Sequence, residues 1–184
     1  MRIAIDIDST LHHYWDLFAV LARKRFGVTL PYDDQVTYDE IAPLRKEQII
    51  ALIRETHREE NILAAKPYEG AVETIRGWHE QGHFIHVTSH RAQETHDPTS
   101  AWLTQIGLPF DELYCSYDKI SRCSEIAIDV LIDDSPSNIV RALECGIVPA
   151  TIAHPWNRDL CEEEGVICAR DWEDLATRLT PVLA

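Results

Sequence analysis

Two acidic pairs stand at the ends of short apolar runs: Asp6 and Asp8 in IAIDIDST, and Asp133 and Asp134 in VLIDDSP. Runs such as Ile3-Ala4-Ile5 and Val130-Leu131-Ile132 read as buried strands of a parallel sheet, which are apolar on both faces. A buried strand that ends in carboxylates delivers them to the C-terminal edge of the sheet, where open α/β sheets bind ligands. Two like unit charges about 4 Å apart repel by about 4 kcal/mol at an effective dielectric near 20. Four carboxylates converging there need a cation, or some of them must hold protons. Oxygen-only donors of this kind suit a hard divalent ion, and Mg²⁺ is the expected one.

The elements that would position these acids alternate along the chain. After the first strand, Tyr14 to Phe26 carries apolar residues at helical spacing and stops at Gly27. Residues 28–42 are turn-like, Leu44 to about Arg58 is a second amphipathic helix, and a third runs through Val72, Ile75 and Trp78 to Gly82. His83 to Val87 reads as the next strand and runs into Thr88-Ser89-His90-Arg91. Asp97 before Pro98 predicts a helix N-cap, and Leu113 to Ser116 a short strand. Ser121 to Ile126 reads as a helical turn. Strands at Val130–Ile132, Val148–Ile152 and Val166–Cys168 alternate with helices at Ser137–Cys145 and from Asp171. The expectation is an α/β fold, a Rossmann-like parallel sheet with helices on both faces. Residues 12–66 break that rhythm, helical with no strand between. They read as a small helical cap inserted after the first strand, with 1–11 and 67–184 forming the core domain.

Composition narrows the partners. The 184 residues carry 17 basic and 31 acidic side chains, a net charge of −14, with no visible Lys/Arg patch. That argues against a nucleic-acid polymer as partner. A small anion is still admissible, because one metal and a few local cations reverse the field inside a site. No apolar run approaches the ~18 residues of a membrane span, and the N-terminus does not read as a signal peptide. Five cysteines, odd in number and without a CxxC pair, read as reduced thiols of a cytoplasmic protein. The nine histidines show no zinc-like pairing with cysteine, so no second metal site is expected.

In order along the chain, DIDST at Asp6–Thr10, VTS at Val87–Ser89, Lys119 in YDKIS and LIDDSPSN from Leu131 resemble the four motifs of haloacid dehalogenase superfamily phosphatases. The resemblance implies an aspartyl-phosphate mechanism. Asp6 would be the nucleophile, a role that suits a metal-bound carboxylate. Asp8 would be general acid and then general base, with its backbone carbonyl on Mg²⁺. Asp133 would be a second metal carboxylate, with Asp134 acting through water or a hydrogen bond. Thr88 or Ser89 would hold phosphoryl oxygens, and Lys119 would offset the charge of phosphate and nucleophile. An acid at position 8 disfavours halide removal, whose leaving group needs no proton.

The substrate expected is a small-molecule phosphate ester. The small helical cap, the DD pair, the Thr-Ser motif and the late PWNR at Pro155–Arg158 resemble the 5′(3′)-deoxyribonucleotidases and related bacterial 5′-nucleotidases. A Ser stands at position 9, where that group carries Gly. A nucleoside monophosphate is therefore the first expectation, and a sugar or other small-metabolite phosphate the alternative. A third reading is a metal- and phosphate-binding module without turnover. Trp15 and Tyr38, with Tyr14, Phe18 or Tyr32, would line a base slot. His90 and Arg91 would face the cleft and contact the substrate. The protein is expected to act as a monomer or homodimer.

Overall fold

The computed structural model describes residues 1–37, 41 and 43–184. Six strands, β1 (Arg2–Ile5), β2 (Phe84–Ser89), β3 (Glu112–Cys115), β4 (Val130–Ile132), β5 (Val148–Ile152) and β6 (Ile167–Ala169), form one parallel sheet in the order β3-β2-β1-β4-β5-β6. Eight α-helices accompany them among the described residues: α1 (Tyr14–Phe26), α2 (Lys46–Thr56), α3 (Glu59–Ala64), α4 (Ala71–Glu80), α5 (His96–Gln105), α6 (Lys119–Glu125), α7 (Pro136–Glu144) and α8 (Trp172–Leu183). The chain starts in the middle of the sheet, winds outward through β2 and β3, and returns to β4 on the other side of β1. The strand order therefore reverses between β1 and β4, where open α/β sheets bind their ligands.

Alternation along each strand divides the interior. Ile3, Ile5, Ile85, Val87, Val130 and Ile132 face a core closed by Val72, Ile75 and Trp78 of α4, Trp102 and Leu103 of α5, and Trp172, Leu175 and Leu179 of α8. Ala4 and Leu131 face the opposite side, against Ile120 and Cys123 of α6 and Ala142 of α7. Between β1 and α4, a separate apolar cluster joins Tyr14, Trp15, Phe18 and Leu21 of α1 to Ile49 and Leu52 of α2. The short α3 packs elsewhere: Ile62 belongs to the main core, and Trp102 Nε1 donates to the Ala65 carbonyl at 2.9 Å.

Three local expectations need correction. Gln93–Thr95 form a 3-10 turn that runs straight into α5, so Thr95 and not Asp97 precedes the helix. Asp97 sits in the first turn, where its charge still suits the helix dipole. Lys119 opens α6 instead of lying in a loop before it. Cys161 and Cys168 are disulfide-bonded, tying the 3-10 turn Arg158–Glu162 to β6, whereas Cys115, Cys123 and Cys145 are free. Their spacing of seven residues carries no motif, and only the return of the chain into β6 brings the sulfurs together.

Two measurements follow from this packing. Trp102→Ala should lower unfolding free energy by about 3–5 kcal/mol in urea titration, because it empties a fully buried indole site and orphans a carbonyl. Thiol titration of the unreduced, denatured chain should find the three free cysteines, and all five after reduction.

Candidate functional site

The strand ends place the acids. Asp6 follows β1, its amide bonded to the Ile132 carbonyl of β4 at 2.8 Å, so the two acid-bearing strand ends are locked side by side. One ligand oxygen from each of Asp6, Asp133 and Asp134 lies within 4.8 Å of the others, and all three side chains are buried. Lys119, itself 2% exposed, reaches in from the start of α6. Its ammonium sits 2.5 Å from Asp6 Oδ1 and 2.6 Å from Asp133 Oδ2. Asp133 also accepts from the Ser135 amide (2.9 Å) and from Asn138 Nδ2 on α7 (3.1 and 3.2 Å). Asp134 accepts from Trp156 Nε1 at 2.9 Å.

Electrostatics in this cluster follow from burial. Desolvation, helped by Asp133 and Asp8, pushes Asp6 up to about 7 despite the Lys119 charge. Desolvation and the charges of Asp6 and Asp133 raise Asp134 well above the ordinary carboxyl range. Burial alone would lower Lys119, but Asp133 and Asp6 hold it raised and charged. When all three acids are ionised, one ammonium leaves two negative charges over, the charge of a single divalent cation. Three carboxylates with oxygen donors only are a fitting set for Mg²⁺.

Asp8 is not part of that triad. Arg91 grips its carboxylate with two nitrogens, Nε to Oδ2 at 3.0 Å and a terminal nitrogen to Oδ1 at 2.7 Å. His12 Nε2 lies 2.9 Å from Oδ1, His57 Nε2 3.4 Å from Oδ2, and Ser89 Oγ donates to Oδ2 at 3.4 Å. Burial would raise Asp8, but the guanidinium and the two imidazoles hold it well below the usual carboxylate range. The backbone turns sharply just beyond, with Ser9 at φ 63°, a left-handed conformation that glycine adopts without strain.

Of the remaining expected residues, Thr88 is fully buried on the same face of the sheet as Asp6, and its hydroxyl has no hydrogen-bond partner. Ser89 is turned to Asp8 instead. His90 is half-buried beside Tyr117, ring centroids 6.3 Å apart; burial and then the Lys119 charge push its imidazole down to about 4. Two expectations are corrected. Arg91 does not face the cleft: it is 2% exposed, and its donors are taken by Asp8 and Thr99. Trp15 does not line an open slot, because it is buried and stacks on Phe18 at 5.5 Å within the α1–α2 cluster. Tyr38 lies outside the described residues.

Sequence reasoning missed the neighbours. His12 and His57 converge on Asp8 from positions 45 residues apart in sequence, with no shared motif. Tyr32, partly exposed, bonds His154 Nδ1 at 2.5 Å, and His154 stacks flat on Trp156 at 4.6 Å. Together with Tyr68 and His13, whose rings lie 4.0 Å apart, they form an aromatic rim beside Asp134 and Ser9. Of this rim only Tyr32 was expected near a base slot, and for the rest the available signal was Trp156-Asn157 inside the quoted PWNR.

Known proteins resemble this chain in sequence and in fold. The family model described as "5′ nucleotidase, deoxy (Pyrimidine), cytosolic type C protein" matches residues 1–180. A Bacillus cereus protein named "Putative nucleotidase" is 26% identical over 147 residues, covering 74% of this chain and 78% of the relative. Among solved structures, one titled "predicted phosphatase" from Clostridium acetobutylicum superposes with a TM-score of 0.71 at 13% identity, covering 98% of both chains. A D,D-heptose 1,7-bisphosphate phosphatase from B. bronchiseptica, complexed with magnesium and phosphate, gives 0.56 at 12% identity, again over 98% of both. At such identities the structural matches speak to the fold.

Lys119→Met tests the charge balance of the cluster. In metal-free buffer at pH 8 the variant should lose about 3–5 kcal/mol of stability in urea titration, because it leaves buried carboxylates uncompensated. Because the Lys119 charge lowers Asp6, its removal raises that carboxyl above the wild-type value of about 7; the variant then takes up a proton at higher pH than wild type, so the deficit should shrink as the pH falls from 8 toward 7.

Proposed function

The chain belongs to the cytosolic type C 5′-nucleotidase family of haloacid dehalogenase-like phosphatases and is a hydrolase of phosphomonoesters, and from that premise we propose that it hydrolyses nucleoside monophosphates with Mg²⁺ and an aspartyl-phosphate intermediate. The observation that carries this reading is the buried cluster of Asp6, Asp133, Asp134 and Lys119 at the point where the strand order reverses.

Asp6, Asp133 and Asp134 would hold the metal, with the Asp8 carbonyl as a further oxygen donor. Bound there, Mg²⁺ supplies charge that screens the carboxylates from the incoming phosphate. Asp6 attacks phosphorus with a carboxylate oxygen, the ester bond to the alcohol oxygen breaks, and the phosphoryl group is carried on Asp6. Lys119, already paired with Asp6 and Asp133, stays close enough to stabilise charge on the transferring group. Thr88, whose buried hydroxyl has no partner, offers its O–H to a phosphoryl oxygen, with Ser89 the second candidate. Asp8 carries the proton. As it stands it is a base, suited to activating the water that releases phosphate. For the first step it must hold a proton for the leaving alcohol, which the dianionic phosphate favours by opposing its charge.

The aromatic rim of Tyr32, Tyr68 and His13 is proposed to receive the base, in place of the enclosed Trp15. A sugar or other small-metabolite phosphate is the second reading, favoured by the closure of the expected Trp15 slot. None of the described helices is long and apolar enough to cross a membrane. A cytoplasmic location is proposed from the family; the Cys161–Cys168 bond stands against it, since that compartment keeps thiols reduced.

Phosphate release should be measured at neutral pH with Mg²⁺ over ribo- and deoxyribonucleoside monophosphates and sugar phosphates. Nucleotides should be turned over best, and Asp6→Asn should lose at least about three decades in kcat, as removal of a nucleophile does elsewhere. Sugar phosphates turned over equally well would discard the nucleotide claim. Full turnover by Asp6→Asn would discard the mechanism.

A further inference from the structure

The four carboxylates here have three different kinds of partner. Asp6 and Asp133 share the Lys119 ammonium, and Asp8 has the Arg91 guanidinium. Asp134, 8% exposed, accepts from the indole N–H of Trp156. No Lys or Arg among the described residues forms an ion pair with it. An indole N–H is a neutral donor with no acceptor capacity. It fixes the direction of a carboxylate without cancelling its charge, whereas a lysine in its place would compete with a bound cation.

Trp156 is itself held. Its ring lies flat on His154, 4.6 Å away and 3° from parallel, with the Tyr32 ring edge-on at 5.7 Å. His154 Nε2 bonds the Ser9 carbonyl at 2.8 Å; a carbonyl only accepts, so the proton is on Nε2, and Nδ1 accepts from the Tyr32 hydroxyl. Asn157, 1% exposed, closes the frame. Its Nδ2 donates to the Asp134 carbonyl (3.1 Å), to Thr151 Oγ1 (2.9 Å) and to the Ile152 carbonyl (3.0 Å), and its Oδ1 accepts from the His154 amide at 2.7 Å. The strand ends of β4 and β5 are thus pinned together at the one residue that carries the indole-bonded carboxylate.

We infer that Trp156 and Asn157 are positioning residues that hold the Asp134 carboxylate, free of an ion-pair partner of its own among the described residues, for a divalent cation, and so set the affinity of the site for Mg²⁺. The inference rests on the metal reading given under Proposed function. It assigns to the loop after β5 a part in metal affinity and none in contact with the substrate.

Isothermal titration of the full chain with MgCl₂ alone provides the test, with kcat and the Mg²⁺ concentration at half-maximal rate measured in parallel. Trp156→Phe keeps a ring for the His154 stack and removes the N–H. Its Mg²⁺ dissociation constant should rise about 10–100-fold, the usual cost of losing a group that orients a metal ligand. Saturating Mg²⁺ should restore kcat to within about threefold of wild type, a recovery that general misfolding would not show. Asn157→Ser should shift the affinity in the same direction, and it decides the matter if Trp156→Phe does not fold. Trp78→Phe, the same truncation in the main core, should bind Mg²⁺ like wild type to within about twofold. Folded Trp156→Phe or Asn157→Ser with unchanged Mg²⁺ affinity would overturn this inference alone. Absence of Mg²⁺ binding by the wild type would overturn it together with the metal reading.

Discussion

The ammonium of Lys119, buried between Asp6 and Asp133, is the contact on which the rest of the site depends. Without it the sheet would end in three carboxylates held within 4.8 Å of one another and shut away from water. Repulsion of that size is several times the free energy a single good contact contributes. The fold meets it by geometry. The parallel register of β1 with β4 brings the acids together, and the crossover after β3 starts α6 with Lys119 beside them. A helix beginning one turn later would leave the lysine in solvent and the acids unmatched. The position of α6 is therefore a condition for the acid cluster, and not merely a neighbour to it.

That dependence explains which parts of the chain were legible. Apolar runs of strand length ending in acids declare both their burial and the edge they reach, since a parallel strand has little freedom in either. Asp6, Asp133, Asp134 and Lys119 were accordingly readable, and so were the six strands. Arg91 was expected beside the acids, but not in the direction it takes. A guanidinium just after a Thr-Ser expected to hold phosphate looks substrate-bound until the fold reveals that Asp8, 83 residues earlier, claims it. Trp15 failed for a related reason. An aromatic residue shortly after the first acid pair serves equally well as a slot wall or as core, and only the arrival of Phe18 and α2 decides. The helix α3 escaped because its six residues are too few to display a period, and its partners on α5 lie about 40 residues away.

Ser9 shows how such a site accommodates local cost. The left-handed turn at φ 63° is unfavourable for any residue with a Cβ, by roughly 1–2 kcal/mol. Its carbonyl is captured by His154, and the next carbonyl, of Thr10, by the indole of Trp172 at 3.0 Å. Two donors from the far half of the chain thus hold the turn that separates Asp8 from α1. A Gly at this place would adopt the turn unaided and would need less of that support. The serine and its captors are best understood as one unit.

Charge compensation is distributed unevenly over the four acids, and the unevenness has a direction. Asp8 is fully matched by Arg91 and flanked by two imidazoles, which makes it a poor place for a cation to settle and a good place for a proton to be exchanged. Asp6 and Asp133 share one positive charge between them. Asp134 is given hydrogen-bond direction by Trp156 and, among the described residues, no ion-pair partner, the Lys119 charge acting on it only from beside Asp6 and Asp133. The electrostatic deficit therefore lies on the Asp6–Asp133–Asp134 side and falls away toward Asp8, across the few ångströms where a phosphoryl group would be handed over. Thr88 faces that same side with an unsatisfied hydroxyl, a donor that matches an arriving oxygen anion and repays nothing in the empty site. An arrangement that served stability alone would have placed the cations evenly and bonded that hydroxyl. The residual imbalance is what the metal ion and the phosphate of the proposed reaction would together remove.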